Sequence, residues 1–174
     1  MYAFSGNTAF NNENTGTPSA LAAEPVSESF ARWTMVRAYG FALGGFNFLL
    51  PPGLYSELIK DPSWAPLPNV SSHCSGVLNL RGNVIPLYQL AAFIEGSEPL
   101  KSAPYSLLIG AMGQAAAILL EVKPLGFNYA QLELSNDFGL APASLAHCVR
   151  NTFRDAGKVW FELNHDALFL AMAG

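Results

Sequence analysis

The chain has 174 residues and a formal net charge of −4; 51% of its residues are hydrophobic and only 13% are charged. This length and apolar content suit one domain, or two small units that share a core. Nucleic acid is bound mainly through lysines and arginines that neutralise phosphates. The nine basic residues are scattered along an acidic chain, so the composition argues against a DNA- or RNA-binding protein.

The cysteine content and the hydropathy of the chain indicate a cytoplasmic protein. Cys74 and Cys148 are the only cysteines, too few for the disulfide framework of a small secreted domain. No segment approaches the roughly 18 apolar residues of a membrane-spanning helix. The first residues also lack the basic and apolar segments of a signal peptide.

Residues 1–30 differ in composition from the rest of the chain. The polar stretch at residues 7–18 has neither a helical nor a strand period. Such a segment cannot bury enough apolar surface to fold on its own. We therefore expect a flexible tail at residues 1–30 and a folded domain at residues 31–174.

The first folded element is a β-hairpin. Bulky residues alternate with small ones at residues 38–43, and the alternation resumes at residues 46–50, which is the period of two that strands show. Gly44-Gly45 between them can adopt the positive φ angles of a two-residue turn. Pro51-Pro52 then ends the second strand, because proline cannot donate a hydrogen bond to a neighbouring strand.

The remaining pattern predicts an all-β fold of barrel or sandwich type, because short strands recur with turn signals between them and no crossover helix is present. Three further hairpins are predicted, with strands at residues 77–81 and 84–88 around Gly82-Asn83, at 105–109 and 115–122 around 112–114, and at 149–153 and 159–163 around 154–157.

Two short helices accompany the hairpins. The first is predicted over residues 90–95 and is closed by Gly96, since glycine favours the left-handed conformation at a helix end. Asn164 is a good N-cap for the second helix, which we expect to reach Leu170.

Few side chains suggest catalysis or metal binding. The chain has no G-x-S-x-G nucleophile and no phosphate-binding glycine loop. His73-Cys74 and His147-Cys148 are the candidate ligand pairs, but neighbours on a strand point to opposite faces, and zinc ligands are usually spaced by two or more residues. His165 beside Asp166 suits a capped surface turn. We therefore expect no metal, no cofactor and no catalytic residue.

The most informative segment is residues 76–90, GVLNLRGNVIPLYQL. Gly76 allows a tight entry into its first strand, and Gly82 supplies the turn. Arg81 is the only charged residue between Asp61 and Glu95. At a hairpin tip its planar, five-donor guanidinium would project towards a partner, or would instead satisfy local carbonyl groups.

This segment resembles the hallmark of CheW-like domains, Gly-Val-x-Asn-Leu-Arg-Gly followed by a strand with a proline. Pro66-Leu67-Pro68 precedes it at the family's spacing, and the other hairpins fit the family's pattern over about residues 35–170. The resemblance implies two intertwined five-stranded, SH3-like barrels with a hydrophobic groove between them. It also implies a non-catalytic scaffold that couples a methyl-accepting chemoreceptor to a CheA-type histidine kinase.

The resemblance further implies where partners bind. The kinase's regulatory domain and the receptor's cytoplasmic tip are the implied partners, without nucleic acid and without membrane insertion. Glu57 resembles the acidic position after the family's second strand, whereas Gln89 stands where the family usually has an aspartate. The implied partner-binding residues are Arg81, Gly76, Asn79, Gly82 and Glu57.

Several functional readings remain open. The 43–45 turn and Pro51-Pro52 most resemble the adaptors of type IV pilus chemosensory systems, which implies twitching motility; a general flagellar-chemotaxis adaptor is the alternative within the family. From other classes, a small β-barrel hydrolase would use His147 or His165 with a carboxylate in a closed pocket. A ligand-carrying barrel would contain a large apolar cavity.

Overall fold

The structure is a computed structural model that describes residues 36–96 and 98–174. The tail predicted at residues 1–30 lies outside the described residues. Two α-helices, α1 (Leu90–Glu95) and α2 (His165–Ala173), and short 3₁₀ turns accompany the strands. The strands are β1 (Arg37–Leu43), β2 (Phe46–Leu49), β3 (Ser56–Lys60), β4 (Trp64–Ala65), β5 (Cys74–Leu80), β6 (Asn83–Tyr88), β7 (Tyr105–Ile109), β8 (Ala116–Leu120), β9 (Leu125–Asn128), β10 (Glu133–Ser135), β11 (Val149–Asp155) and β12 (Lys158–Leu163).

The strands form two curled six-stranded sheets with the same pairing pattern. The central sheet has the order β3-β7-β8-β6-β5-β4, and the terminal sheet has the order β9-β1-β2-β12-β11-β10. Each sheet contains one parallel pair, β6 with β8 and β2 with β12, and its other neighbours are antiparallel. The terminal sheet combines the first hairpin with the last four strands, so the two sheets are intertwined. The all-β prediction is confirmed.

Each sheet has a sixth strand that the sequence did not predict. The short strands β4 and β10 extend the outer edges of the two sheets, where they pair with β5 and β11. With two and three residues, they are too short to show an alternating pattern. Strands β3 and β9, which pair with β7 and β1, also lie outside the predicted hairpins.

The four predicted hairpins are present, but the second turn lies one residue earlier than predicted. Leu80 pairs with Asn83, so the two turn residues are Arg81 and Gly82 rather than Gly82 and Asn83. Their φ angles are 53° and 82°, which is the left-handed geometry of a type I′ turn. The prediction was wrong because a β-turn normally selects glycine or asparagine at such positions.

Both predicted helices are present. Gly96 ends α1 with a φ of 64°, as expected for a left-handed cap. The Asn164 side chain accepts a hydrogen bond from the Ala167 amide at 3.3 Å, which confirms the N-cap of α2. This helix continues past Leu170 to Ala173, because Leu168 and Met172, one turn apart, are both buried in the core.

Three hydrophobic clusters hold the domain together. The largest joins both sheets and α2, with Phe41, Phe48, Leu107, Ile118, Phe161 and Leu168 among its members. The interior of the central sheet holds a second cluster that includes Leu78, Leu87, Leu108 and Leu119. The interior of the terminal sheet holds a third, with Ala38, Leu49, Phe153 and Trp160. Successive residues of a strand face opposite sides. All residues of β8 are buried, so both faces of this strand are covered.

None of the helices in the described part of the chain combines the length and the apolar character needed to cross a lipid bilayer.

Candidate functional site

Arg81 and Glu57 form a two-bond ion pair on the central sheet. The Arg81 Nη2 lies 2.6 Å from Glu57 Oε1, and Nη1 lies 2.9 Å from Oε2. Tyr55 adds a third hydrogen bond, since its hydroxyl donates to Glu57 Oε2 at 3.1 Å. The curl of the sheet thus brings the β5–β6 turn over β3, which pairs with β7 rather than with β5 or β6.

The guanidinium binds Glu57 instead of the carbonyl groups of its own turn. The carbonyl oxygens of Leu80 and Arg81 accept from the Asn83 side-chain amide, at 3.4 Å each. Hydrogen bonds from Arg81 hold the pKa of the Glu57 carboxyl below its usual value. The Arg81 side chain is 64% exposed and that of Glu57 is 26% exposed, so the pair can be reached by a partner.

The backbone of Arg81 is strained. Its φ of 53° is uncommon for a residue other than glycine, asparagine or aspartate. Strain of this kind persists mainly where the surrounding structure imposes it, and it is frequent at functional sites. An arginine at this turn therefore costs folding free energy that an asparagine or a glycine would avoid.

The other residues of the motif support the turn or the strand beneath it. The Asn79 side-chain oxygen accepts from the Gly82 amide at 3.0 Å, which closes the turn. Gly76 is buried, with a φ of 131°, and a Cβ at this position would lie 2.0 Å from the Ala65 carbonyl oxygen. Gly76 therefore allows β4 to lie against β5 and offers no side chain to a partner.

An open cleft lies between the two sheets, next to β3. It measures about 190 Å³ and is lined by Tyr39 of β1, Ser56 and Leu58 of β3, Leu107 of β7, and Pro124. Tyr39 and Leu58 are exposed apolar side chains. Ser56 and Leu58 flank Glu57 on β3. Because successive residues of a strand face opposite sides, the cleft and the Arg81–Glu57 pair lie on opposite faces of this strand.

The histidine and cysteine pairs do not form a metal site. The His73 Nε2 lies 2.6 Å from the Met172 carbonyl oxygen, and its ring packs edge-on against Phe93. His147 is exposed, whereas Cys148 is fully buried. Among the described residues, no group of three or more potential ligands could hold a metal ion.

The readings as a hydrolase or as a ligand-carrying barrel receive little support. His165 lies 3.4 Å from Asp166, on the first turn of α2 beside a carboxylate that is largely exposed. The interiors of both sheets are filled by side chains. A cleft of about 370 Å³ beside β6 is open and is lined by no histidine.

Two polar clusters were missed in the sequence. Arg154 and Asp137 form a second two-bond ion pair, at 2.8 and 2.7 Å. Glu162 is almost fully buried, where it accepts hydrogen bonds from Tyr129 and Asn151. The sequence did contain a signal for Glu162, because it is a charged residue within the otherwise apolar end of β12. It contained no signal for the Arg154 ion pair, because Arg154 lay in a predicted turn.

Comparisons with known proteins agree with this architecture. The family model for the CheW-like domain matches residues 37–171. The chain is 29% identical over 96 residues to Protein PilI of Pseudomonas aeruginosa, over 54% of this chain and 52% of PilI, so it spans about half the length of that relative.

A solved structure provides independent evidence for the fold. The crystal structure of the scaffolding protein TtCheW from Thermoanaerobacter tengcongensis superposes with a TM-score of 0.55 and 17% sequence identity, over 74% of this chain and 88% of that chain. At that identity the likeness concerns the fold alone. Since the family model spans most of the residues, the chain belongs to the CheW-like domain family.

Proposed function

We propose that the chain is a non-catalytic adaptor that couples a methyl-accepting chemoreceptor to a CheA-type histidine kinase in a type IV pilus chemosensory system. Membership of the CheW-like family supports the adaptor role, and the similarity to PilI supports the pilus system. The exposed ion pair between Arg81, which lies in the family motif, and Glu57 is the observation that carries the proposal.

The geometry of this pair suits protein recognition. Two hydrogen bonds fix the Arg81 guanidinium on the Glu57 carboxylate, and a third from Tyr55 fixes that carboxylate. Little side-chain entropy therefore remains to be lost when a partner binds. Arginine is enriched among the residues that dominate interface energies. Exposed apolar side chains at Tyr55 and Val84 supply apolar surface that a partner would bury.

Such an adaptor makes and breaks no covalent bond. It acts through differences in binding free energy, because it holds the kinase against a receptor that has two conformations. The kinase then responds to whichever receptor conformation the adaptor binds more tightly. The open cleft between the sheets, lined by the exposed side chains of Tyr39 and Leu58, is suited to an amphipathic helical segment.

The direct test is a binding measurement with purified components. The full chain is titrated against the regulatory domain of a CheA-type kinase and, separately, against the cytoplasmic signalling fragment of a receptor from the same pilus system. We expect both to bind, and a complex of all three to elute together in size-exclusion chromatography. Failure of both fragments to bind would overturn the proposed function.

A further inference from the structure

The cleft between the two sheets is bordered by basic side chains. Tyr39 of β1 and Leu58 of β3 line its walls. Arg37 lies two residues before Tyr39, and Lys60 lies two residues after Leu58. Because side chains two positions apart on a strand face the same side, Arg37 and Lys60 lie on the cleft side of their strands. Both are exposed.

Lys123 reaches the same region from the segment before β9. It directly precedes a proline that lines the cleft, and its ammonium group lies 5.9 Å from the centre of the Tyr105 ring. Tyr105 pairs with Lys60 across β7 and β3, and paired residues of antiparallel strands project from the same face. The next pair on this face, Leu58 with Leu107, lines the cleft. Lys60 and Lys123 therefore lie at one end of the cleft.

The charge at this cleft is opposite in sign to that of the chain, whose formal net charge is −4. Among the described residues, Arg37 and Lys123 take part in no ion pair, in contrast to Arg81. Lys60 lies 3.8 Å from Asp61, with side chains 76% and 75% exposed, and a pair so exposed is weak. The cleft therefore combines apolar walls with positive charge that the described residues leave largely unpaired.

The volume of the cleft, about 190 Å³, decides what can enter it. Pockets for small molecules typically measure about 300–1,000 Å³, so this one suits an apolar side chain whose neighbours remain outside. On a helix, the residues three and four positions away lie beside that side chain on the same face. Carboxylates at those positions would meet the lysines at the end of the cleft. The cleft thus matches an amphipathic helix that carries acidic side chains.

The position of the cleft indicates which partner supplies this helix. A scaffold holds two proteins at once, and the Arg81–Glu57 pair lies on the opposite face of β3. A second protein can therefore contact that pair while the cleft is filled. A narrow cleft admits one segment, as in helix-in-groove recognition, whereas a folded regulatory domain needs a broad surface. The segment then comes from the receptor rather than from the kinase.

We propose that this basic cleft, formed by Tyr39, Leu58, Leu107, Lys60 and Lys123, binds an acidic helical segment of the receptor. An apolar side chain of the segment lies between the two sheets, and carboxylates one turn away pair with the two lysines. The proposal rests on the adaptor function proposed above and names the chemistry by which the adaptor selects its receptor.

The first experiment needs neither partner. The isotope-labelled full chain is titrated with 3-phenylpropanoate, which joins an apolar ring to a carboxylate, and with 3-phenylpropanamide, its neutral analogue. We expect saturable shifts of the Leu58 and Leu107 methyl signals with the anion, and about tenfold weaker binding of the anion by K60Q/K123Q. The absence of saturable shifts, equal binding of the amide, or unchanged binding by K60Q/K123Q would overturn the proposal.

The second experiment separates this proposal from the adaptor function. Wild type, K60Q/K123Q and the control R150Q/K158Q, which makes the same change of net charge on β11 and β12, are titrated against the receptor fragment and the kinase regulatory domain at low and high salt. We expect K60Q/K123Q alone to bind the receptor fragment about tenfold more weakly, with a reduced salt dependence. It should bind the kinase domain like wild type.

The outcomes distinguish the two claims. If K60Q/K123Q binds the receptor fragment like wild type, the basic-cleft proposal falls and the adaptor function stands. The same holds if K60Q/K123Q loses affinity for the kinase domain instead, or if R150Q/K158Q weakens receptor binding equally, because the effect would then belong to another partner or to net charge. If wild type binds neither fragment, the adaptor function itself falls.

Discussion

Arg81 and Glu57 lie 24 positions apart in the sequence, yet two hydrogen bonds of 2.6 and 2.9 Å join them into one polar unit. Because this unit is exposed and held rigid, we expect Arg81→Ala to weaken binding of the kinase domain or the receptor fragment by about thirtyfold in Kd. Isothermal titration calorimetry measures both. Unchanged affinity for both partners in a folded variant would reject the role of Arg81.

Two control variants test whether Arg81→Ala weakens binding through the loss of the Arg81 side chain or through damage to the β5–β6 turn. Asparagine tolerates the left-handed backbone of residue 81, so Arg81→Asn should bind as weakly as Arg81→Ala while its hairpin keeps its geometry. Arg154→Ala removes a similar ion pair from the terminal sheet and should leave both affinities unchanged. A loss of binding in Arg154→Ala equal to that in Arg81→Ala would show that the effect is not local.

The pKa of Glu57 reports on the ion pair directly. Hydrogen bonds from Arg81 lower this pKa, and Arg154 lowers the pKa of Asp137 in the same way. In Arg81→Ala we therefore expect the pKa of Glu57 to rise towards its ordinary value and that of Asp137 to stay where it is. A carbon-13 NMR titration of the side-chain carboxyls follows both groups in one sample.

The same shift fixes the pH range in which the pair contributes to stability. The pKa of Glu57 is lower in the folded than in the unfolded state, so the contribution is present above the unfolded pKa. It is lost as the pH falls through the folded pKa. Urea melts of wild type and Arg81→Ala should therefore converge at acid pH. A stability difference that grows as the pH falls would contradict this assignment.

Phe41 is a test of the hairpin and of the cluster that joins the two sheets. Its side chain is 1% exposed and its ring centroid lies 5.6 Å from that of Phe48. We expect Phe41→Ala to lower the free energy of unfolding by about 3–5 kcal/mol, through lost burial and the cavity that remains. Tyr39→Ala, two residues earlier on the same face but 45% exposed, should cost about 0.5 kcal/mol or less. Similar urea midpoints for the two variants would contradict this packing.

The local elements could be predicted because their signals lie within a few residues. Gly44-Gly45 and the alternation around it specify a hairpin, and Asn164 and Gly96 specify helix ends. The position of the second turn could not, because Arg81 adopts a φ of 53° against its own preference. In this conformation Arg81 forms a tertiary contact, the ion pair with Glu57.

The site itself depends on contacts that no local pattern contains. Arg81 could be identified as the lone charge on a hairpin, but its partner lies on β3, which is not its neighbour in the sheet. Strands β4 and β10 are similarly defined only by the strands that they pair with. The resemblance to a family supplied the intertwined arrangement, which alternation alone does not distinguish from two separate barrels.

Gln89 stands where the resemblance to CheW-like domains predicts an aspartate. Its side chain is 3% exposed and makes hydrogen bonds to Ser75 and to both backbone groups of Leu100. Aspartate cannot donate to the Leu100 carbonyl, and its charge would be buried. We expect Gln89→Asp to cost about 1–3 kcal/mol at neutral pH. Burial raises the pKa of such a carboxyl, so part of the loss should be recovered in urea melts at lower pH. If Gln89→Asp left the free energy of unfolding unchanged, Leu100 would have to be held by other contacts.

Gly40 tests the interior of the terminal sheet, where β1 lies directly under Trp160. A Cβ on Gly40 would come within 2.6 Å of the Trp160 ring, 2.9 Å of the Phe127 ring and 3.0 Å of the Phe48 carbonyl oxygen. Since the carbonyl belongs to the paired strand β2, the backbone would have to shift together with two packed rings. We expect Gly40→Ala to destabilise the domain by about 1–3 kcal/mol through overpacking. Gly126 faces β1 from the neighbouring strand β9 and has nothing within 4 Å of its Cβ position, so Gly126→Ala should change the urea midpoint little. Equal midpoints for the two variants would mean that Trp160 can move aside, and that the terminal sheet is packed less tightly than its geometry indicates.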